Sequence, residues 1–276
     1  MKYLLVAPWS YRAQYGRDVA AGMASHTNQT EIVTEADLAH LPTAVQQYLR
    51  FAGVVGQPRV SNYRLQMRGG LRNGPNDGWM QVEIDQQSFV GPHTRLFLVD
   101  TTMFGVPVQA YHRYIGPHAT FEVKIATLLR IVNARGPEMD RGETVTLFND
   151  MCLLAPATLI DPQIVWEELD PQTVRATFTN AGNTIHAVLS FDANGALRNF
   201  YSDDRSRTTN GQSYEFVRWS TPVSGWQMVN GHLMPHGEAH WHLPSGEFSY
   251  AYMEVREVEY NVTQSVSNTP SSPSRP

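Results

Sequence analysis

The chain has 276 residues, 42% hydrophobic and 17% charged, with a net charge of −5. That is ample for one large core, and it gives no electrostatic basis for binding nucleic acid. A lone cysteine, Cys152, excludes an intrachain disulfide and any multi-cysteine zinc site.

In chain order, Met1-Lys2-Tyr3-Leu4-Leu5-Val6-Ala7-Pro8-Trp9 begins like a signal peptide, but Arg12, Arg17 and Asp18 follow too soon. It reads as a soluble lead-in, or as the remnant of a trimmed membrane anchor. As written the sequence reads as soluble; if an N-terminal anchor has been trimmed, the protein is expected to be cytoplasmic or membrane-associated through residues ahead of the main domain, and the compartment stays open. No stretch reaches the roughly 18–20 apolar residues that span a bilayer. Tyr11 to Met23 favours a helix, and the turn-rich Ser25-His26-Thr27-Asn28-Gln29-Thr30 forms a linker, giving a lead-in over residues 1–33.

Thr34-Glu35-Ala36-Asp37 has capping-box spacing, with Asp in place of the usual Glu or Gln. Pro42 then opens a helix over about 42–52, in which Val45, Tyr48 and Leu49 share one face and Gly53 is the stop. From Val60 the period becomes two. Phe121-Glu122-Val123-Lys124-Ile125, Val174-Arg175-Ala176-Thr177-Phe178 and Ile185-His186-Ala187-Val188-Leu189 alternate as strands with one face on a core. Asn73-Gly74, Asn194-Gly195, Asn210-Gly211 and Asn230-Gly231 supply hairpin turns, and about ten to twelve antiparallel strands follow. Asp140-Arg141-Gly142-Glu143 reads as a second capping box, opening a helix around 142–154 that ends at Ala155-Pro156 and carries Cys152 as a buried thiol. Thr263 onward is rich in Ser, Pro and Asn, a disordered tail over 263–276.

The expected architecture is mainly β (α+β): a single domain over 34–262 whose large antiparallel sheet curves into a half-barrel or open barrel around the 142–154 helix.

Eight segments stand out together: Leu41-Pro42 with Tyr48-Leu49-Arg50, Gly136-Pro137-Glu138-Met139, Leu147-Phe148-Asn149-Asp150-Met151, Ala155-Pro156-Ala157-Thr158-Leu159-Ile160, Ser202-Asp203-Asp204-Arg205, Trp219-Ser220-Thr221-Pro222, Gly237-Glu238 with Trp241, and Glu259-Tyr260-Asn261-Val262. In these the chain resembles an uncharacterised bacterial family, domain of unknown function 6544. The likeness covers roughly residues 36–262. It implies no activity and no catalytic residue. What it implies is an architecture similar to the half-barrel of periplasmic lipoprotein carriers of the LolA/LolB type, an analogy of fold that does not fix function.

Three clusters carry candidate chemistry. Asp203 and Asp204 are adjacent, so on a strand they face opposite ways and form no dyad; with Arg205 they read first as an ion-paired corner. Glu143 and Asp150 are seven apart and share a helix face, whereas Asn149 lies off it. If that face met Asp203 and Glu238, four carboxylates would converge for acid-base catalysis. His240 and His242 fall on one strand face with Glu238, the spacing of a metal site with an open position. No P-loop, dinucleotide fingerprint, nucleophile elbow or His-Glu-x-x-His occurs, so no cofactor is named by the sequence.

The leading expectation is binding of a lipid or other hydrophobic small molecule in the concavity, lined by Met103, Phe104, Phe121, Phe148, Met151, Phe178, Phe191, Trp219 and Trp241, with Arg205 at its edge. The alternatives are an enzyme on a hydrophobic substrate, using the carboxylates or a His-bound metal, and a structural or partner-binding module with a filled interior.

Overall fold

The computed structural model describes residues 7–27, 29–208 and 211–263. The tail from 264 onward, residues 1–6 and Asn210 of one Asn-Gly pair lie outside them. Among the described residues three α-helices precede or interrupt sixteen strands: α1 (Tyr11–Ser25), α2 (Thr43–Phe51) and α3 (Pro137–Leu154). Fourteen strands form one antiparallel sheet, curved but not closed into a barrel. Among the described residues no helix is long and apolar enough to cross a membrane.

The sheet grows from its middle. β1 (Asn62–Leu71), β2 (Met80–Phe89), β3 (Thr94–Met103), β4 (Val106–Ile115), β5 (His118–Ile125) and β6 (Leu129–Arg135) meander outward to one edge. Helix α3 then carries the chain to the opposite edge. There β7 (Val165–Asp170), β8 (Thr173–Asn180), β9 (Asn183–Phe191) and β10 (Leu197–Ser202) step back toward the centre. After the small ribbon of β11 (Ser206–Arg207) and β12 (Glu215–Phe216) come β13 (Arg218–Ser220), β14 (Val223–Val229), β15 (His232–Leu243) and β16 (Gly246–Tyr260). The last strand pairs with the first, Tyr63 opposite Tyr260 and Leu71 opposite Ala251.

Alternation decides which side chains face α3. Phe178, Ile185, Leu189 and Phe200 turn inward and are fully buried. Phe148 stacks on Phe178 at 5.1 Å between centroids and leans on Phe200 at 6.0 Å. The Asn230-Gly231 turn has positive φ at both residues, the type I′ geometry that joins twisted strands. Thr34 donates its backbone N–H to Asp37 at 2.7 Å, closing the expected box on a short 3₁₀ turn.

Helix α3 begins a turn earlier than its spacing predicts. Gly136, at φ 108°, is the N-cap and Pro137 stands at the first helical position. Asp140 is therefore inside the helix, accepting the Ala119 N–H at 2.6 Å, and Glu143 is free of capping duty. The lead-in helix α1 lies on the outer face of the sheet. Tyr11 and Tyr15 pack on Tyr111, Arg12 bridges Asp85 at 2.8 Å and also Asp100, and Asp18 accepts from Tyr111 and Arg113 at 2.9 Å. A Cβ on Gly22 would fall 2.3 Å from the Phe89 ring, so only glycine lets the helix sit this close.

Candidate functional site

Helix α3 runs across the strands at one end of the concavity. Its first turn meets Ala119 at the β4–β5 end, and Tyr260, opposite Tyr63, donates its hydroxyl to Leu154 O at 2.5 Å. The other half of the concavity, toward the β1–β2, β3–β4 and β5–β6 turns, is a cavity of about 570 Å³. Its walls are inward residues of the sheet, among them Ile84, Phe97, Val99, Val108, Ala110, Phe121, Val123 and Val255. Its floor is the polar side of α3.

That floor carries a buried charged network. Arg95 donates from Nε to Asp150 at 2.6 Å and lies 3.4 Å from Glu143 through Nη1. Arg205 lies 3.6 Å from Glu143, donates to Gly142 O at 2.9 Å and to the Thr146 hydroxyl, and stacks over Trp219 at 4.7 Å. His112 Nδ1 is 3.3 Å from Glu143 Oε1. Gln86 donates to Asp150 at 2.8 Å. Two carboxylates thus face two guanidiniums, as buried charge requires.

Burial alone would push the Glu143 carboxyl up; the facing His112, Arg95 and Arg205 overcome it, and the carboxyl is held below its ordinary range. His112 goes the other way. Desolvation and the two arginines outweigh the attraction of Glu143 and push its pKa down to about 4, so the imidazole is neutral at pH 7. Burial pushes the Cys152 thiol well above its ordinary value, with Asp150 adding to the effect.

The sequence-predicted residues divide. Met103, Phe121, Trp219, Trp241 and Arg205 line the cavity. Phe148, Met151, Phe178 and Phe191 do not: they fill the core between α3 and the strands behind it. Phe104 is fully exposed at the β3–β4 turn. Glu143 and Asp150 meet, as their shared face requires, but through arginines. Asp203 does not join them; it is exposed and holds Arg218 by two 2.8 Å bonds. Asp204 caps the same corner, accepting from Arg141 and from the His186 N–H. Glu238 sits at the mouth, where a Ser249 hydrogen bond and then His240 and Arg72 outweigh partial burial and hold its pKa down. Strand register puts Glu238 roughly 20 Å from the Arg95 level, so the four carboxylates do not converge.

His240 and His242 alternate with Ala239 and Trp241, which line the cavity, and so lie on the outer face. There His240 contacts Glu247 at 2.5 Å and Glu238 at 3.0 Å, while His242 contacts Ser220 at 2.7 Å. Among the described residues no group of three or more His, Cys, Asp or Glu is arranged to hold a metal. The residues that sequence reasoning missed are Arg95, His112, Gln86 and Thr146. They lie on β2, β3, β4 and α3, far apart in sequence, and only the packing of the helix across the sheet brings them together.

No curated protein matches the chain. Among solved structures, a DUF1329 family protein from Desulfovibrio piger is similar at 12% identity, covering 80% of this chain and 93% of its own, with a TM-score of 0.45. A domain named for outer-membrane lipoprotein sorting, from Vibrio parahaemolyticus, matches at 11% identity over 74% and 87%, with a TM-score of 0.42. A LolA superfamily protein from Nitrosomonas europaea matches at 12% over 79% and 94%, with a TM-score of 0.41. At these scores none of the three lends its role to this chain. One family model does match most of it, over residues 31–253: the chain belongs to DUF6544, a family of unknown function.

Proposed function

We propose that the protein binds a hydrophobic small molecule of lipid type in this cavity. The observation that carries the reading is the cavity itself: about 570 Å³, inside the roughly 300–1,000 Å³ of small-molecule sites, with apolar walls and polar groups gathered at one end. An amphiphile fits that polarity, its chain along the sheet and its polar end toward α3. Arg205 Nε is buried there without a hydrogen-bond partner among the described residues, which suits it to receive a ligand oxygen. The enzyme alternative has less support, since the Glu143 carboxylate is held ionised by its arginines and two of the four expected carboxylates lie elsewhere. The interior-filled alternative predicts no such cavity.

The test uses the neutral fluorophore N-phenyl-1-naphthylamine. Wild-type protein is expected to bind it at one site with enhanced, blue-shifted emission. Ala110→Phe, which places a ring in the cavity from β4, should abolish the enhancement while leaving the far-ultraviolet circular dichroism unchanged. Native mass spectrometry should show a co-purified lipid-sized mass in wild type and none in the variant. Equal probe binding by both proteins would sink the reading.

A further inference from the structure

The cavity lining does not stop at the mouth. It continues as inward residues out to the tips of β3–β6, where it meets solvent. Met103 and Ile131 line the cavity yet are 40% and 50% exposed, and Leu128 and Leu129 at the next tip are 67% and 64% exposed. The two tips are neighbours: β4 pairs with both β3 and β5, and Ala126 N–H donates to Pro107 O at 2.8 Å. Neither Thr101 to Val108 nor Ile125 to Leu129 contains a charged residue. Contiguous exposed apolar surface of this kind marks an interaction site.

Phe104 adds a second observation. It is 100% exposed and sits at φ 50°, followed by Gly105 at φ 80°, the two central residues of a type I′ turn. Asn, Asp or Gly belongs at that first position, and a bulky aromatic there is strained. Phenylalanine is thus poor for the turn and poor for contact with water, so neither folding nor solubility accounts for it.

We propose that this rim, centred on Phe104, Leu128 and Leu129, seats on the surface of a lipid bilayer and holds the cavity mouth against it. Three features favour a bilayer over a protein partner. The two turns carry no charged residue, Lys124 and Arg130 standing just behind them, and they protrude rather than form a shaped groove. It is continuous with an apolar cavity, so a chain leaving the bilayer would meet no polar barrier. The exposed Trp9 lies beside it, its carbonyl accepting from Lys124 at 3.0 Å one residue before the β5 end, and indoles favour the headgroup level. The purpose of the contact rests on the cavity being a ligand site; the contact itself does not.

The experiment is co-sedimentation of the full chain with sucrose-loaded vesicles of phosphatidylcholine and phosphatidylglycerol, beside N-phenyl-1-naphthylamine binding without vesicles. Wild type should sediment with vesicles. Phe104→Asn should weaken partitioning on the order of tenfold, the scale of one buried aromatic, and Leu128→Asn/Leu129→Asn by at least as much. Both variants should keep probe binding, and Phe104→Asn should raise Tm, which separates lost docking from lost folding. Vesicle binding by a chain that fails to bind the probe would leave the rim standing and remove the cavity reading. Wild type remaining in the supernatant, or variants partitioning like wild type, overturns the proposal. So does a concentration-dependent dimer abolished by Phe104→Asn, which would assign the rim to self-association.

Discussion

His112 makes stability depend on pH in a calculable way. In the unfolded chain its pKa is 6.5; in the fold it is pushed down to about 4, because burial against Phe121, with Arg95 and Arg205 facing the imidazole, outweighs the attraction of Glu143. As pH falls below 6.5 the unfolded state takes up a proton that the folded state refuses until about 4. The contribution is therefore complete above 6.5, lost progressively down to about 4, and flat below. At about 1.4 kcal/mol per pH unit the loss is roughly 3 kcal/mol. The perturbation is His112→Gln, which keeps a donor for Glu143 and removes the titration. Urea unfolding of both proteins from pH 8 to 3.5 gives the assay, and the wild-type-minus-variant stability should fall by that amount across the window. Burial also lowers His93 and His232, but both remain in the variant and cancel in the difference. A flat difference curve, or a His112 proton resonance titrating near 6.5, would refute the reasoning.

Other outcomes follow from the same network and its surroundings. Glu143→Gln leaves Arg95 and Arg205 with one carboxylate fewer and should cost about 3–5 kcal/mol, a fall in Tm of roughly 6–20 °C by calorimetry. Because the Glu143 carboxyl is held below its unfolded value, its contribution is present above about pH 4.3 and lost as pH falls through the folded value, so the variant should also lose part of the acid limb. Phe148→Ala removes the ring stacked on Phe178 and should cost about 3–5 kcal/mol in urea unfolding, with fluorophore affinity unchanged below Tm. Asp203→Asn breaks an ion pair whose carboxylate side chain is 62% exposed; less than about 1 kcal/mol should be lost, and fluorophore affinity should not move.

Much of the architecture was legible because its signals are local. Period-two runs such as Val174 to Phe178 gave strands, Pro42 with Val45, Tyr48 and Leu49 gave α2 at Thr43–Phe51, and Asn230-Gly231 gave a hairpin. The start of α3 was misplaced by local logic too: Asp140 and Glu143 have capping-box spacing, but Gly136-Pro137 holds the true start. The site was less legible. Arg95 and His112 each interrupt an otherwise apolar inward face, and their partner Glu143 stands 48 and 31 residues further on. Nothing near either residue in sequence reports that pairing. Phe148 and Phe178 looked like cavity residues because apolarity alone does not distinguish the two sides of a buried helix.

The pairing of β1 with β16 has a consequence for biosynthesis. The central strand β16 is made after every other described strand of the sheet, and its partner was made about 190 residues earlier. At about 5–20 residues per second, β1 waits on the order of ten seconds or more with one edge unpaired, and the cavity has no complete wall in that interval. A nascent chain that has made both halves but not β16 therefore exposes two half-sheets and the apolar residues of their inner faces. Pairing so distant in sequence also slows folding. A chain stopped before residue 246 would lose the seam that joins its halves, and it should be held by chaperones or degraded rather than released as a smaller folded domain.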